Sequence, residues 1–162
     1  MALDMFINLG DKIKGETKDK VQSKKNDVDV LAWSWGASQS GSMHIGGGGG
    51  AGKANFQDLS FTKYIDTATC ALMIALAKGS HIPKCTLLVR KAGEGQQDYI
   101  KFEMTECIVT SISTGGSGGE DRLTENVTLN FAEVKFSYFK QNDKGAVEAA
   151  GEFNWDIAKN SA

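Results

Sequence analysis

Two glycine-rich segments have residue types and spacings that could bind phosphate or hold a catalytic serine. Residues 47–53 (GGGGAGK) match GxxxxGK, the opening of a phosphate-binding loop. The next residue is Ala54, which offers no hydroxyl group to Mg²⁺. A phosphate-binding loop also connects a buried strand to a helix, whereas polar residues precede this segment and a strand pattern follows it. The match therefore does not indicate nucleotide binding.

The second segment, residues 115–119 (GGSGG), matches the GxSxG pattern of serine hydrolases. That pattern places the serine on a sharp turn between a strand and a helix. Here Ser117 is followed by a charged turn and then by a strand pattern, and the two histidines, His44 and His81, precede it. The hydrolase order needs a histidine after the serine. We interpret the segment as a flexible turn between two strands.

The remaining candidate ligands and nucleophiles are few. Three cysteines (Cys70, Cys85 and Cys107) form an odd number without a CxxC pair, which indicates reduced, apolar side chains. Two histidines are too few for a metal site without clustered carboxylates or thiols. We therefore expect no catalytic residue, no metal ion and no cofactor, and we predict that the protein is not an enzyme.

Length and charge restrict the classes of function further. A chain of 162 residues favours one domain, here residues 1–162. The 18 basic residues against 20 acidic ones give a net charge of -2, which disfavours a general nucleic-acid binder. No apolar run is long enough to span a bilayer, and Asp4 lies where a signal peptide needs apolar residues. The sequence thus predicts neither membrane insertion nor secretion by a signal peptide.

Period-two alternation of apolar residues predicts a mainly β protein of about seven strands. In the second strand candidate, Leu31, Trp33 and Trp35 fall on one face. In the longest candidate, residues 99–112, the apolar face comprises Ile100, Phe102, Met104, Ile108 and Ile112. Such strands, each with one apolar face, predict a barrel or a two-sheet sandwich. The strand candidates are residues 4–9, 28–35, 53–64, 85–90, 99–112 and 127–139.

The last of these candidates contains a change of phase. Its apolar residues occupy odd positions up to Phe131 and even positions from Val134 onward. A strand that keeps one buried face must absorb an extra residue at such a point. We predict a β-bulge or a sharp bend near Ala132 and Glu133.

One helix is predicted over about residues 66–78. Asp66 can cap its first turn and Gly79 can end it. We expect this helix to cover the open end of a barrel; the alternative is a helix that binds a partner. Its apolar stripe at i, i+3, i+4 and i+7 comprises Cys70, Met73, Ile74 and Ala77.

Four segments resemble one known family. They are residues 4–16, which contain DMFI and KGE, residues 31–42 (LAWSWGASQSGS), residues 58–66 (DLSFTKYID) and residues 113–129 (STGGSGGEDRLTENVTL). Together they resemble the Hcp family (haemolysin co-regulated proteins) of bacterial type VI secretion. The resemblance covers most of the chain and is weakest over residues 81–112 and after residue 138.

The resemblance implies a β-barrel of two curved sheets with one flanking helix, related to phage tail-tube proteins. It implies hexameric rings that stack into a tube, which a contractile sheath drives out of the cell behind a VgrG-like spike. Secreted effectors would occupy the lumen of some rings. The protein would be cytoplasmic before firing and extracellular afterwards, without a signal peptide. The alternative is a soluble β-barrel binding module or effector chaperone that forms no tube.

Two sets of residues are candidates for such a role. The glycine-rich arm over residues 41–53 would reach an adjacent subunit or ring, and the charged turn after residue 119 is either solvated or part of an intersubunit salt bridge. The polar face of the longest strand, with Lys101, Glu103 and Thr105, would line the lumen. The interface candidates are Ser42, Met43, His44, Gly47, Gly48, Gly49, Lys53, Glu120, Asp121 and Arg122.

Overall fold

The computed structural model describes residues 2–41, 43, 50, 52–92 and 95–162. These residues form nine strands, one α-helix and a short 3-10 helix over Gln22–Lys25. The helix, α1, spans Ala68–Lys78. The strands are β1 (Leu3–Asn8), β2 (Val28–Ser34), β3 (Ala37–Ser38), β4 (Asn55–Phe56), β5 (Leu59–Tyr64), β6 (His81–Lys91), β7 (Asp98–Thr114), β8 (Thr124–Gln141) and β9 (Val147–Asp156).

Seven strands form one antiparallel sheet in the order β5-β2-β1-β6-β7-β8-β9. β5 pairs in addition with the first half of β8, which closes six of the strands into a barrel. The second half of β8 pairs instead with β9, so that β9 lies outside the closed ring of strands. The prediction of a mainly β barrel with one helix is confirmed; its curved walls belong to a single sheet that closes on itself.

The barrel encloses one continuous apolar core. Alternate residues of β5 (Leu59 and Phe61) and of β8 (Val127 and Leu129) point inward and are almost completely buried. Trp35, just after β2, packs edge-on against Phe102 of β7, with ring centroids 4.9 Å apart. The core therefore draws on residues far apart in the chain.

The predicted change of phase in β8 occurs where the sequence places it. Phe131 and Val134 are buried, and Ala132 and Glu133 between them are not. The pairing of β8 with β7 nevertheless continues through this point without a shift of register.

The register is kept because the two neighbouring strands change phase at the same level. In β6, two exposed residues, Pro83 and Lys84, lie between the buried Ile82 and Cys85. In β7, Thr105 and Glu106 lie in the same way between the buried residues 104 and 107. Glu106 adopts a left-handed backbone conformation with φ 55°. Three strands thus absorb one extra residue side by side, and we call this line across the sheet the crease.

Two predicted faces differ from the observed ones. Because β2 has a register irregularity between Val30 and Ala32, its buried face changes there, and Leu31 is exposed while Trp33 packs on the core. The crease has the same effect on the predicted apolar face of β7, in which Met104 is followed by Cys107 as the next buried residue.

Helix α1 begins two residues later than predicted and buries a different face. The Asp66 side chain still caps it, since Oδ1 accepts a hydrogen bond from the Ala68 N–H at 2.9 Å. Gly79 ends it in the left-handed conformation, φ 62°. Leu72 enters the core, as expected of a helix that covers the barrel. The predicted apolar stripe, with Met73 and Ile74, is exposed instead.

One predicted strand is divided in the structure, and one observed strand was not predicted. The candidate over residues 53–64 is divided into β4, which pairs with β3 in a separate ribbon, and β5, which belongs to the barrel. β9 was not predicted, because most of its residues are exposed and Ala149, Ala150 and Gly151 interrupt the alternation that its second half shows.

Candidate functional site

Polar side chains form rows across the outer face of β6, β7 and β8. One row joins Lys84, Thr105 and Glu133, which face one another across the strands. The row beside it joins Glu103 to Lys135 of β8. The three predicted lumen residues therefore lie within a larger patch, which we call the polar face: Lys84, Lys101, Glu103, Thr105, Glu133 and Lys135.

Glu103 lies at the centre of the polar face. Its Oε1 accepts a hydrogen bond from Lys84 Nζ at 3.0 Å, and Lys101 Nζ lies 3.6 Å away. Partial burial acts to raise the pKa of Glu103, but the Lys84 hydrogen bond and the charges of Lys101, Lys84 and Lys135 outweigh it, so its pKa lies below the usual value. The carboxylate is thus ionised at neutral pH and balanced by neighbouring lysines.

Sequence reasoning found the β7 members of this face and missed those of β6 and β8. Lys84 and Lys135 are brought to Glu103 by strand register, which a single sequence does not reveal. The signal available in the sequence was the alternation of the charged residues Glu133 and Lys135 with the apolar residues Val134 and Phe136.

The same sheet has a free border on each side. β9 pairs with β8 along one edge. Along the other edge its last residue, Asp156, is bridged to Ser161, and the rest of β9 has no partner strand among the described residues. At the opposite side, β1 pairs with β2 only through Phe6 and Ile7, so the backbone of its first residues, from Leu3 to Met5, has a strand partner only in β6 among the residues described. Such borders offer unpaired backbone groups to another strand.

Five of the predicted interface residues are described by the structure, and all five are exposed. Met43 and Lys53 are exposed, as are Glu120 and Asp121 in the turn before β8. Arg122 is exposed too and stacks on the Tyr64 ring, with its guanidinium carbon 3.7 Å from the ring centroid. Ser42, His44, Gly47, Gly48 and Gly49 lie outside the residues that the structure describes.

A second group of charges lies inside the protein, where β5, β8 and α1 meet. Lys63 is fully buried, and its Nζ lies 2.5 Å from Glu125 Oε1 and 2.8 Å from Asp66 Oδ1. Thr69 and Thr114 donate hydrogen bonds to the two oxygens of Glu125, at 2.7 and 3.0 Å. We call these five residues the buried cluster; Thr114 is exposed and lies at its edge. The cluster ties residues 58–66 to residues 113–129.

A third ionic contact fastens the long segment between β1 and β2. Arg90 of β6 donates a hydrogen bond to Asp19 Oδ2 at 2.7 Å, and both side chains are largely buried. Asp19 also accepts from the backbone N–H groups of Val21 and Gln22. The Gln22 bond is the main reason that the pKa of Asp19 lies below its usual value, and Arg90 and Val21 add to it against the effect of burial.

Within the part of the chain that the structure describes, there is no group of three or more His, Cys, Asp or Glu side chains placed to hold a metal ion. Over the same residues, no helix is long and apolar enough to cross a membrane.

Residues 6–138 match the family described as "Type VI secretion system effector, Hcp". The sequence is 58% identical over 162 residues to "Protein hcp1" of Pseudomonas aeruginosa, covering 99% of this chain and 98% of that protein. The chain belongs to the Hcp family. The resemblance found in the sequence is therefore confirmed, and the protein is a component of type VI secretion.

Solved structures agree with this membership. The fold is similar to one described as "Structure of a type six secretion system protein", with a TM-score of 0.87, 30% identity and 99% of each chain covered. It is also similar to Hcp1 from Salmonella typhimurium, with a TM-score of 0.77, 36% identity and 99% of each chain covered. The mainly β barrel with one helix is thus the Hcp fold.

Proposed function

We propose that this Hcp protein is the ring subunit of the type VI secretion tube, with residues 1–162 acting as one tube domain. The observation that carries the proposal is that one sheet has a free border on each side, at β1 and at β9. Two different borders of one chain can pair from copy to copy, and such a head-to-tail contact closes into a ring when the rotation allows it. We expect six copies, and rings that stack.

The polar face supports the same proposal. In a ring built by extending the sheet, one face of β6, β7 and β8 is covered by the subunit's own core and the other remains available to the lumen. Glu103 and the lysines around it would give that lumen a mixed and nearly balanced charge. A hydrated lining of this kind would let secreted effectors pass, because no strong electrostatic potential of one sign would bind them tightly.

The oligomeric state is the first test. Light scattering on the purified protein should give a particle about six times the 17.4 kDa chain mass. A monomer at every concentration would reject the ring, and a monomer that binds effectors would favour a binding module or effector chaperone without tube assembly.

Two proline variants in β9 test the border itself. Glu148 and Ala149 are adjacent and pair with Lys140 and Phe139, so one backbone N–H points to β8 and the other to the free border. Replacing each by proline removes one of these donors. We expect the variant that lacks the N–H at the free border to keep the fold and lose the ring. The variant that lacks the N–H pointing to β8 should be destabilised. Intact rings in both variants would show that the β9 border takes no part.

Charge reversal tests the lumen. Lys101→Glu and Glu103→Lys should change the retention of effectors in a pull-down with assembled rings, because both side chains belong to the polar face. Lys24→Glu, on the short 3-10 helix, is the matched control. If retention of every effector is the same in all three variants, Lys101 and Glu103 do not line the lumen.

The remaining partners follow from the tube. We propose that stacked rings meet a VgrG-like spike at one end and a contractile sheath around the outside. The protein would be cytoplasmic before firing and secreted afterwards. We propose no nucleic acid as partner, no membrane insertion and no enzymatic role.

A further inference from the structure

The free border of β9 ends in a hydrogen-bonded turn. The Asp156 N–H donates to the Ser161 carbonyl oxygen at 2.7 Å, and the Ser161 N–H donates to the Asp156 carbonyl oxygen at 3.2 Å. The Asp156 carboxylate accepts a third hydrogen bond from the Lys159 N–H at 2.8 Å. Asn160 reverses the chain in the left-handed conformation, φ 53°. We call residues 156–161 the closing turn.

The closing turn occupies backbone groups that would otherwise face a neighbouring strand. The Ile157 N–H donates to the carbonyl oxygen of Ala132 in β8 at 2.8 Å, so the residue before it directs its own N–H and C=O away from β8. The same alternation directs the backbone groups of Glu152 and Asn154 to the border, where they have no partner strand among the described residues. The border that another copy can use therefore ends at Asn154.

The side chains of β9 specify a register poorly. Three small exposed residues, Ala149, Ala150 and Gly151, lie in its middle, and its pairing with β8 shifts at the same place. A strand without a well-defined buried face, and with glycine in it, pairs in alternative registers more easily. The register of a strand added to β9 therefore depends on another feature of the border.

The opposite border, at β1, is limited in a corresponding way. β2 pairs with β1 at Phe6 and Ile7, which leaves the backbone from Leu3 to Met5 free on that side. Successive strands from β1 through β6, β7 and β8 to β9 are antiparallel, so β1 and β9 run in the same direction. In a ring, whose copies are related by rotation, the next copy's β1 would lie parallel to β9. Both borders are then closed toward the C-terminal ends of their strands.

We propose that the closing turn is a stop that fixes the register in which β1 of a second copy pairs with β9. A slip of two residues toward the end of β9 would keep every side chain on its own face, so side-chain burial does not oppose it. Such a slip needs the N–H and C=O of Asp156, and both are bonded to Ser161. The inference rests on the proposed function, because it requires copies that pair through these two borders.

Disulfide trapping measures the register directly. Cysteine replaces Asn154 together with one β1 residue at a time, in a Cys70→Ser background where the two remaining cysteines are buried. Mild oxidation of assembled protein should link copies at one β1 position and not at the position two residues away, because a disulfide needs Cα atoms within about 4–7 Å. The β1 positions are Ala2, Leu3, Asp4 and Met5.

Opening the turn should change this pattern. Asn160→Val should lower the population of the closed turn by about tenfold, because a β-branched residue is disfavoured in the left-handed conformation, and crosslinks should then appear also two residues away. Asn160→Gly is the matched control and should keep the single position, since glycine accepts this conformation. Ser161→Pro removes the N–H that donates to Asp156 and should act like Asn160→Val.

The outcomes separate this inference from the proposed function. A single crosslinked position that stays the same in Asn160→Val and Ser161→Pro overturns the stop and leaves the ring standing. Rings that give no crosslink at any of the four β1 positions also overturn the inference, because β1 and β9 then do not pair. An unsubstituted protein that is monomeric at every concentration overturns both.

Discussion

The buried cluster and the polar face contain the same chemistry in opposite surroundings. Each joins glutamate to lysine, with Nζ–Oε1 distances of 2.5 Å between Lys63 and Glu125 and 3.0 Å between Lys84 and Glu103. Lys63 and Glu125 are fully buried, whereas the Lys84 side chain is 60% exposed and that of Glu103 is 16% exposed. The two pairs have similar geometry, but they contribute differently to the stability of the fold. Removing one partner of a buried pair leaves an uncompensated charge, whereas exposed pairs are solvated and contribute little.

This comparison assigns the two regions different tasks. The buried cluster holds β5, β8 and the start of α1 together and should tolerate almost no single change. The polar face should accept changes of charge with little effect on folding, as the proposed lining of a lumen would require.

The largest effect is expected at Lys63. Lys63→Met should lower the free energy of unfolding by about 3–5 kcal/mol, because Glu125 and Asp66 would remain buried without their cation. Urea denaturation of dissociated protein measures the loss.

The control for this prediction is the double variant Lys63→Met with Glu125→Leu. It should recover a large part of the lost stability, since replacing both ions by apolar groups is often neutral. A single variant as stable as the parent would show that the buried cluster does not hold the fold.

A smaller effect is expected at Asp19. Asp19→Asn should cost about 1.5–3 kcal/mol, the usual range for a hydrogen bond to a charged group, because Arg90 loses its carboxylate. Asp143→Asn, at an exposed turn position, should change the unfolding midpoint very little. Equal midpoints for the two variants would contradict an anchoring role for Asp19.

The pH dependence of unfolding separates the same two variants. Asp19 has a folded-state pKa below its ordinary value of 3.8, so its contribution is fully present above about pH 4 and disappears as the pH falls through the folded-state pKa. The difference in stability between the parent and Asp19→Asn should therefore shrink below pH 4. A difference that stays constant down to pH 2 would exclude this linkage.

The smallest effect is expected on the polar face. Glu103→Gln should change the free energy of unfolding by less than about 1 kcal/mol, because the lysines around Glu103 remain partly in water. The residual effect should fall further in 1 M salt, where exposed charges are screened over about 3 Å. A loss comparable to that of Lys63→Met would remove the distinction between the two regions.

Local patterns in the sequence predicted much of the fold. Alternation identified most of the barrel strands, and Asp66 and Gly79 marked the ends of α1 closely. The phase change near Ala132 was visible because apolar residues switch from odd to even positions within one strand.

Properties that depend on pairing were not predictable in this way. The faces of β2 and β7 were wrong because irregularities at Val30 and Glu106 change which side chains point inward. The exposed face of α1 was mistaken for its buried face because both are apolar. Lys84 and Lys135 joined Glu103 only through register, and the family resemblance supplied the rest of the functional prediction.

The crease restricts how the length of this chain can change. Pro83, Glu106 and Ala132 each supply the additional residue of their own strand at a shared level. If one of these residues were deleted, every side chain on one side of the deletion would point to the opposite face of the sheet. The other two strands of the crease would keep their side chains on the original faces. Insertions and deletions in β6, β7 and β8 are therefore tolerable only when they are matched across all three, whereas the connections between strands are free to vary in length one at a time.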